Sequence, residues 1–238
     1  DGIRDYKVTG VQTCALPISA SVNPLPAANF TATNVCIGNT TSFTDISNIT
    51  TGVITSWSWD FGDGGVSGLQ NPTHTFGSSG TQTVSLTILS STGCTDTYTG
   101  NISVNPLPVA NFTSINSCQN SNAAFTDLSS VSSGNITSYN WSFGDGATGT
   151  QQNPTHAYST SGNFNVTLQV TTAGGCTNSI TQPVTVYPLP VASFTNTTVC
   201  IGTLTSFTNT SSISSGGITS VAWSFGDFTT SSAANPTH

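Results

Sequence analysis

The sequence predicts an all-β chain of tandem two-sheet sandwich domains, arranged as beads on a string. Three observations carry this. First, Lys and Arg total 2, and the acidic residues are all Asp. A helical protein fills its exposed faces with Glu, Lys, Arg and Gln, which lose little rotamer freedom there, and this chain all but lacks three of the four. Second, Thr, Ser, Val, Asn and Gly dominate, and these are strand and turn formers. Third, the phrase "WSWDFGDG" at 57–64 returns as "YNWSFGDG" at 139–146 and "VAWSFGDF" at 221–228.

The repetition sets the domain organisation. "NPLPAANF" at 23–30 recurs as "NPLPVANF" at 105–112 and "YPLPVASF" at 187–194, a step of 82 residues. Trp59, Trp141 and Trp223 keep that step, as do Asp63, Asp145 and Asp227, His74, His156 and His238, and Cys36, Cys118 and Cys200. A unit this long is too large for a solenoid repeat and suits a small domain with its own core. We expect repeat 1 at 20–105, repeat 2 at 106–187 and a truncated repeat 3 at 188–238, which stops at "NPTH".

Residues 1–19 do not match the rest. "DGIRD", then "YK", then "VTGVQTCALPIS" resembles the in-frame translation of a common sequencing adapter, with Tyr6-Lys7 where an index would fall. This segment, which holds Arg4, Lys7 and Cys14, is set aside as an artefactual leader of a metagenomic fragment.

Within a unit the strands are read in order as "TTSFTDIS" (40–47), "ITSWSWDFG" (54–62), "GTQTVSLTILSS" (80–91) and "CTDTYTGNISV" (94–104), each bounded by Gly, Asn and Ser clusters. Trp57, Trp59 and Phe61 share one parity against Ser58 and Asp60. Val84, Leu86 and Ile88 alternate with Ser85 and Thr87. One face is therefore apolar and the other wet, which suits a sandwich with inward-facing aromatics. Trp59 and Phe61, with Trp141 and Phe143 and with Trp223 and Phe225, are read as core anchors. Asp63, Asp145 and Asp227 are read as caps of the turn that ends each such strand.

These residues resemble the PKD domain family. "WDFGDG" at 59–64, "NPTHTF" at 71–76 and "GTQTVSLTI" at 80–88 look like its strand, turn and closing strand. The variant here, with a Cys after the first strand, a Gly-Cys pair near the end and "PLP" joints, is similar to tandem PKD repeats in large secreted proteins of Bacteroidota-type bacteria. The resemblance implies an immunoglobulin-like β-sandwich. Phe228 departs from the pattern, standing where Gly64 and Gly146 do, and strains the turn if that position needs a positive φ.

The chemistry-bearing residues favour scaffolding. His74, His156 and His238 sit in Asn-Pro turns with no second His or Cys at a zinc-ligand spacing. Every candidate recurs at the same step, as scaffold residues do, so no catalytic site and no cofactor is expected. Asp45, Asp60 and Asp63 are weak calcium candidates, because Ser142, Asn209 and Ser224 replace such residues in later copies. Without basic residues beyond the leader, nucleic-acid backbone binding is excluded. No apolar run is long enough to span a bilayer. Two prolines in each joint favour extended geometry. The expected function is a non-enzymatic extracellular or cell-surface array, a semi-rigid spacer with adhesion or protein contact. Its partners are other domains of a larger protein, and extracellular protein or polysaccharide. The alternative is a substrate-targeting module of a secreted hydrolase, since PKD domains also accompany such enzymes.

Cys36 and Cys94, like Cys118 and Cys176, are separated by 58 residues, which suggests one bridge per repeat with Cys200 left over. Against this, the first and last connections of a simple immunoglobulin topology lie at opposite ends of the sandwich, and an inter-repeat Cys36–Cys176 bridge is the alternative. The intra-repeat form is the expectation.

Overall fold

The computed structural model describes residues 22–238; the leader at 1–19, with Arg4, Lys7 and Cys14, lies outside the described residues. These residues are all-β, with no helix among them.

In the first copy the strands are β1 (Phe30–Ala32), β2 (Val35–Cys36), β3 (Thr40–Asp45), β4 (Ile54–Asp60), β5 (Val66–Ser67), β6 (Thr73–Thr75), β7 (Gly80–Ser90) and β8 (Thr95–Asn105). They form a three-stranded sheet in the order β1-β3-β6 and a five-stranded sheet in the order β2-β8-β7-β4-β5. The second copy repeats both with β9 (Phe112–Ser114), β10 (Ser117–Cys118), β11 (Asn122–Asp127), β12 (Ile136–Ser142), β13 (Thr148–Gly149), β14 (Thr155–Ala157), β15 (Gly162–Thr172) and β16 (Thr177–Tyr187). Its sheets run β14-β11-β9 and β10-β16-β15-β12-β13. In each large sheet one of the two short edge strands, β2 or β10, is parallel to its neighbour: Cys36 faces Asn105, and Cys118 faces Tyr187.

The four strands read from sequence are present. The short strands β2, β5 and β6 carry too few residues for alternation to be read.

The core lies between the two sheets. Phe30 and Phe43 of the small sheet meet Trp59 of the large one at ring-centroid distances of 5.1 and 5.4 Å. Phe112 and Phe125 meet Trp141 at 5.1 and 5.5 Å. Val84, Leu86 and Ile88 along β7, and Val166, Leu168 and Val170 along β15, are fully buried. Burying each such side chain contributes roughly 1.5–3 kcal/mol, so the period-2 face of one strand anchors each sandwich. Trp57 shares the parity of Trp59 but is only half-buried. The register of β4 shifts between Ile54 and Ser56, next to Trp57.

The chain divides into two compact units. One comprises the described residues up to Thr33 with Thr41–His74 and Gln82–Ile102; the other comprises Asn34–Thr40, Thr75–Thr81 and Ser103–His238. The short segment that carries Cys36 therefore belongs to the second unit.

After β16 come two small pairs, β17 (Phe194–Asn196) with β18 (Phe207–Asn209), and β19 (Trp223–Ser224) with β20 (Thr230–Ser231). Phe194 is 55% exposed, whereas Phe30 and Phe112 at the same place in their copies are 7% and 1% exposed. Among the described residues, no strands after β16 correspond to those that cover these two, β7 with β8 and β15 with β16.

Candidate functional site

Each "FGDG" turn is built as a unit with the "NPTH" segment. Asp63 Oδ1 accepts the Gly65 N–H at 3.0 Å, and Oδ2 lies 2.7 Å from His74 Nε2. The imidazole of His74 stacks on Phe61, 4.2 Å between centroids and 4° from parallel. Asp145 with His156 and Phe143, and Asp227 with His238 and Phe225, reproduce this at 2.7 and 2.8 Å.

Hydrogen bonding from His74 holds the Asp63 carboxyl below its ordinary range. Burial pushes Asp145 up, but hydrogen bonds from His156 and the Ala147 N–H outweigh it and leave the group lowered. The Thr229 hydroxyl and N–H, with His238, bring Asp227 down to about 2. Nearby, the buried Tyr158 hydroxyl donates to Phe143 O at 3.0 Å, and burial, with the negative charge of Asp145, pushes it up to about 12. Donors thus stabilise the ionised carboxylates, and each pair braces a turn against an aromatic ring.

The turn also needs a left-handed residue. Gly64 and Gly146 have φ of 93° and 96°, and Phe228 at the same place is forced to 71° with its side chain wholly exposed.

A second polar cluster ties β3 to β4. Asp45 Oδ2 accepts from Trp57 Nε1 at 2.7 Å and from Gln70 Nε2 at 3.1 Å, and Oδ1 accepts the Ser47 N–H at 3.0 Å. Burial raises the Asp45 pKa, but the bonds from Ser47, Gln70 and Trp57 leave it lowered. In the second copy Gln152 donates to Asp127, and the Tyr139 hydroxyl is raised by burial and by Asp127. In the third copy all three members change together, to Asn209, Val221 and Ala234. The Asn209 side chain keeps the turn-closing bond from the Ser211 N–H at 3.0 Å. The changes match: with no indole, phenol or glutamine to donate, the carboxylate is not needed.

The three weak calcium candidates are each engaged in local contacts. Asp45 is engaged as described, Asp60 Oδ1 accepts the Gly62 N–H at 2.9 Å, and Asp63 is engaged by Gly65 and His74. Among the described residues no three His, Cys, Asp or Glu side chains gather into a ligand set. Calcium needs six to eight converging oxygens, and these carboxylates are spent separately on turns.

The cysteine expectation is corrected. The bridge is Cys36–Cys176, with Cα atoms 5.6 Å apart, while Cys94, Cys118 and Cys200 are free thiols. Cys36 lies on β2 beside the end of β8, opposite Asn105, whereas Cys94 follows the turn at the beginning of β8. The eleven residues of β8 separate the two, and at about 3.3 Å per residue that is far beyond disulfide reach. The bridge was in the sequence only as the alternative, because equal spacings within repeats are equally consistent with pairing between them.

The PKD domain family model matches residues 23–104 and 105–188. A microbial collagenase of Vibrio alginolyticus is 45% identical over 56 residues, covering 24% of this chain and 7% of that protein. The pre-pro-metalloprotease PrtV of Vibrio cholerae is 37% identical over 100 residues, covering 41% of this chain and 11% of that protein. The chain thus spans about a tenth or less of the curated relatives it matches. Among solved structures, the PKD1 domain of Vibrio cholerae PrtV is 38% identical, covering 34% of this chain and 96% of that domain, with a TM-score of 0.31. With its two matched segments covering most of its length, the chain belongs to the PKD domain family.

Proposed function

We propose that this chain is a non-catalytic, extracellular or cell-surface array that spaces or presents other domains of a larger protein. In this reading 20–105 and 106–187 are complete repeats and 188–238 is the beginning of a third. The Cys36–Cys176 bridge carries the proposal. It closes a loop of 140 residues around an Asn-Pro-Leu-Pro connector whose prolines already restrict φ. A cross-link and two prolines stiffen a joint, which serves a spacer, and a disulfide persists in an oxidising compartment. The recurrent Asp–His pairs support the same reading, since each is committed to a turn and a ring stack rather than to a cleft. Small-angle scattering of the oxidised and the reduced chain tests it. The expected result is a single narrow size distribution when oxidised and a broader one after reduction. Identical distributions overturn the semi-rigid spacer.

A second reading, an accessory module that engages substrate for a neighbouring hydrolase, is favoured by the names of the matched relatives, a collagenase and a metalloprotease. Co-sedimentation with insoluble collagen and with insoluble polysaccharides decides it. Retention on either favours this role, and no retention on any favours the spacer alone.

A further inference from the structure

The Cys36–Cys176 bridge joins two positions that each recur elsewhere in the sequence as a free thiol. Cys118 and Cys200 follow Cys36 at the 82-residue step, and Cys94 precedes Cys176 by the same step. The bridged pair is therefore one instance of a rule: the cysteine after the first strand of one copy bonds the hairpin cysteine of the next.

The local structure of the free thiols matches that of the bonded ones. Cys36 lies opposite Asn105 in a parallel pairing, and the following N–H, of Ile37, donates to Asn105 O at 2.9 Å. Cys118 lies opposite Tyr187 in the same parallel pairing, and the following N–H, of Gln119, donates to Tyr187 O at 2.8 Å. The turn after each closes on the cysteine carbonyl, from Asn39 N–H and Ser121 N–H, both at 3.0 Å. Asn120 adopts φ 63° where Gly38 has 84°, so a non-glycine residue takes the left-handed conformation and preserves the turn.

The hairpin side is reproduced as well. The Cys176 N–H donates to Thr172 Oγ1 at 3.2 Å and Cys176 O accepts from the Thr172 N–H at 2.9 Å; Cys94 makes the same two contacts with Ser90 at 3.1 and 2.9 Å. The connector after Cys118's partner strand, Tyr187-Pro188-Leu189-Pro190, has the length and proline placement of Asn105-Pro106-Leu107-Pro108. Cys118 is exposed, whereas the bonded Cys176 is 1% exposed.

We propose that Cys118 and Cys94 are the two halves of further joints of the same kind. Cys118 accepts the hairpin cysteine of a complete repeat that follows it, a position that in the third copy would be 258, beyond this sequence. Cys94 accepts the first-strand cysteine of a complete repeat that precedes it. Each bridge forms by loss of two protons and two electrons from two thiols, the electrons passing to a small disulfide such as oxidised glutathione, which is reduced to two thiols. The array is then a ladder of cross-linked joints with no closed intra-repeat bridge. The spacer reading does not depend on this, because the observed bridge stands without it.

The test inserts a second copy of residues 105–186 after Val186 in the full chain. In the inserted copy Ser replaces Cys118 and Ala replaces Ser179, so that its hairpin peptide has its own mass. The chain is folded in a glutathione buffer, alkylated and mapped without reduction. The expected result is a Cys36–Cys176 link together with a link from Cys118 to the inserted hairpin cysteine. A companion chain extends His238 with a copy of residues 157–187, completing the third repeat, and Cys118 is expected to link to its hairpin. Alkylated Cys118 in both chains, or Cys118 linked to Cys176 of its own repeat, overturns the proposal.

Discussion

Thr41 is fully buried in β3, and its hydroxyl has no hydrogen-bond partner among the described residues. The same position in the second copy is Ala123, also fully buried. A buried unpaired hydroxyl costs on the order of 1–3 kcal/mol, so Thr41→Val, which keeps the shape and removes the oxygen, is expected to stabilise the first sandwich by about 1 kcal/mol. The check is a rise in the urea midpoint at unchanged slope. The carboxylates give the opposite kind of dependence. Asp63, Asp145 and Asp227 are lowered in the folded chain. Their contribution is therefore full above the unfolded value near 4 and is lost as pH falls through the folded value, about 2 for Asp227. Stability should fall steadily between about pH 5 and about pH 2, and an Asp63→Asn, Asp145→Asn chain should show a shallower fall over that window. An equally steep acid limb in the variant would rule out these pairs as its source.

The strand-to-turn junction at the end of β4 separates two reasons for a glycine. Gly62 has φ 80°, and a Cβ there would sit 2.3 Å from the Thr83 carbonyl oxygen, whereas Gly64 has φ 93° and open space around it. Gly64→Ala is expected to cost about 1 kcal/mol of backbone strain, and Gly62→Ala at least twice that, because β7 must also shift. Equal losses from the two, measured by urea unfolding, would contradict the close approach. The sequence made the turn visible through "GDG" and gave Phe228 as its misfit, but it could not distinguish these two glycines, since a close approach depends on which strand pairs alongside. The same limit applies across the elements. Long strands such as β4 and β7 announce themselves by alternation, while β2, two residues long, is visible only through pairing with β8. That pairing places Cys36 at the far end of β8 from Cys94, so spacing alone points to the wrong bridge while alternation points to the right sandwich. The Asp–His contact was hidden for a related reason: both residues recur every 82 positions, but nothing in an eleven-residue separation says that the chain folds back between them.

For the chain as a whole, the composition that announced the fold also dictates how it responds to salt. The ion pairs among the described residues are the three His–Asp contacts, and the two basic side chains of the sequence, Arg4 and Lys7, lie outside those residues. Among the described residues stability therefore rests mainly on the aromatic cores, the backbone ladders and the Cys36–Cys176 bridge, none of which salt screens. What salt does screen is repulsion among Asp side chains in a chain of net charge −7. Raising ionic strength from about 0.01 to about 0.3 M shortens the screening length from ~30 Å to under ~10 Å, which removes that repulsion and little else. The unfolding midpoint near neutral pH should therefore stay level or rise slightly across this range. Reducing the disulfide should lower it by the same amount at both ends, because the loop constraint is independent of charge. A loss of more than about 1 kcal/mol on adding salt would require attractive ion pairs beyond the three His–Asp contacts.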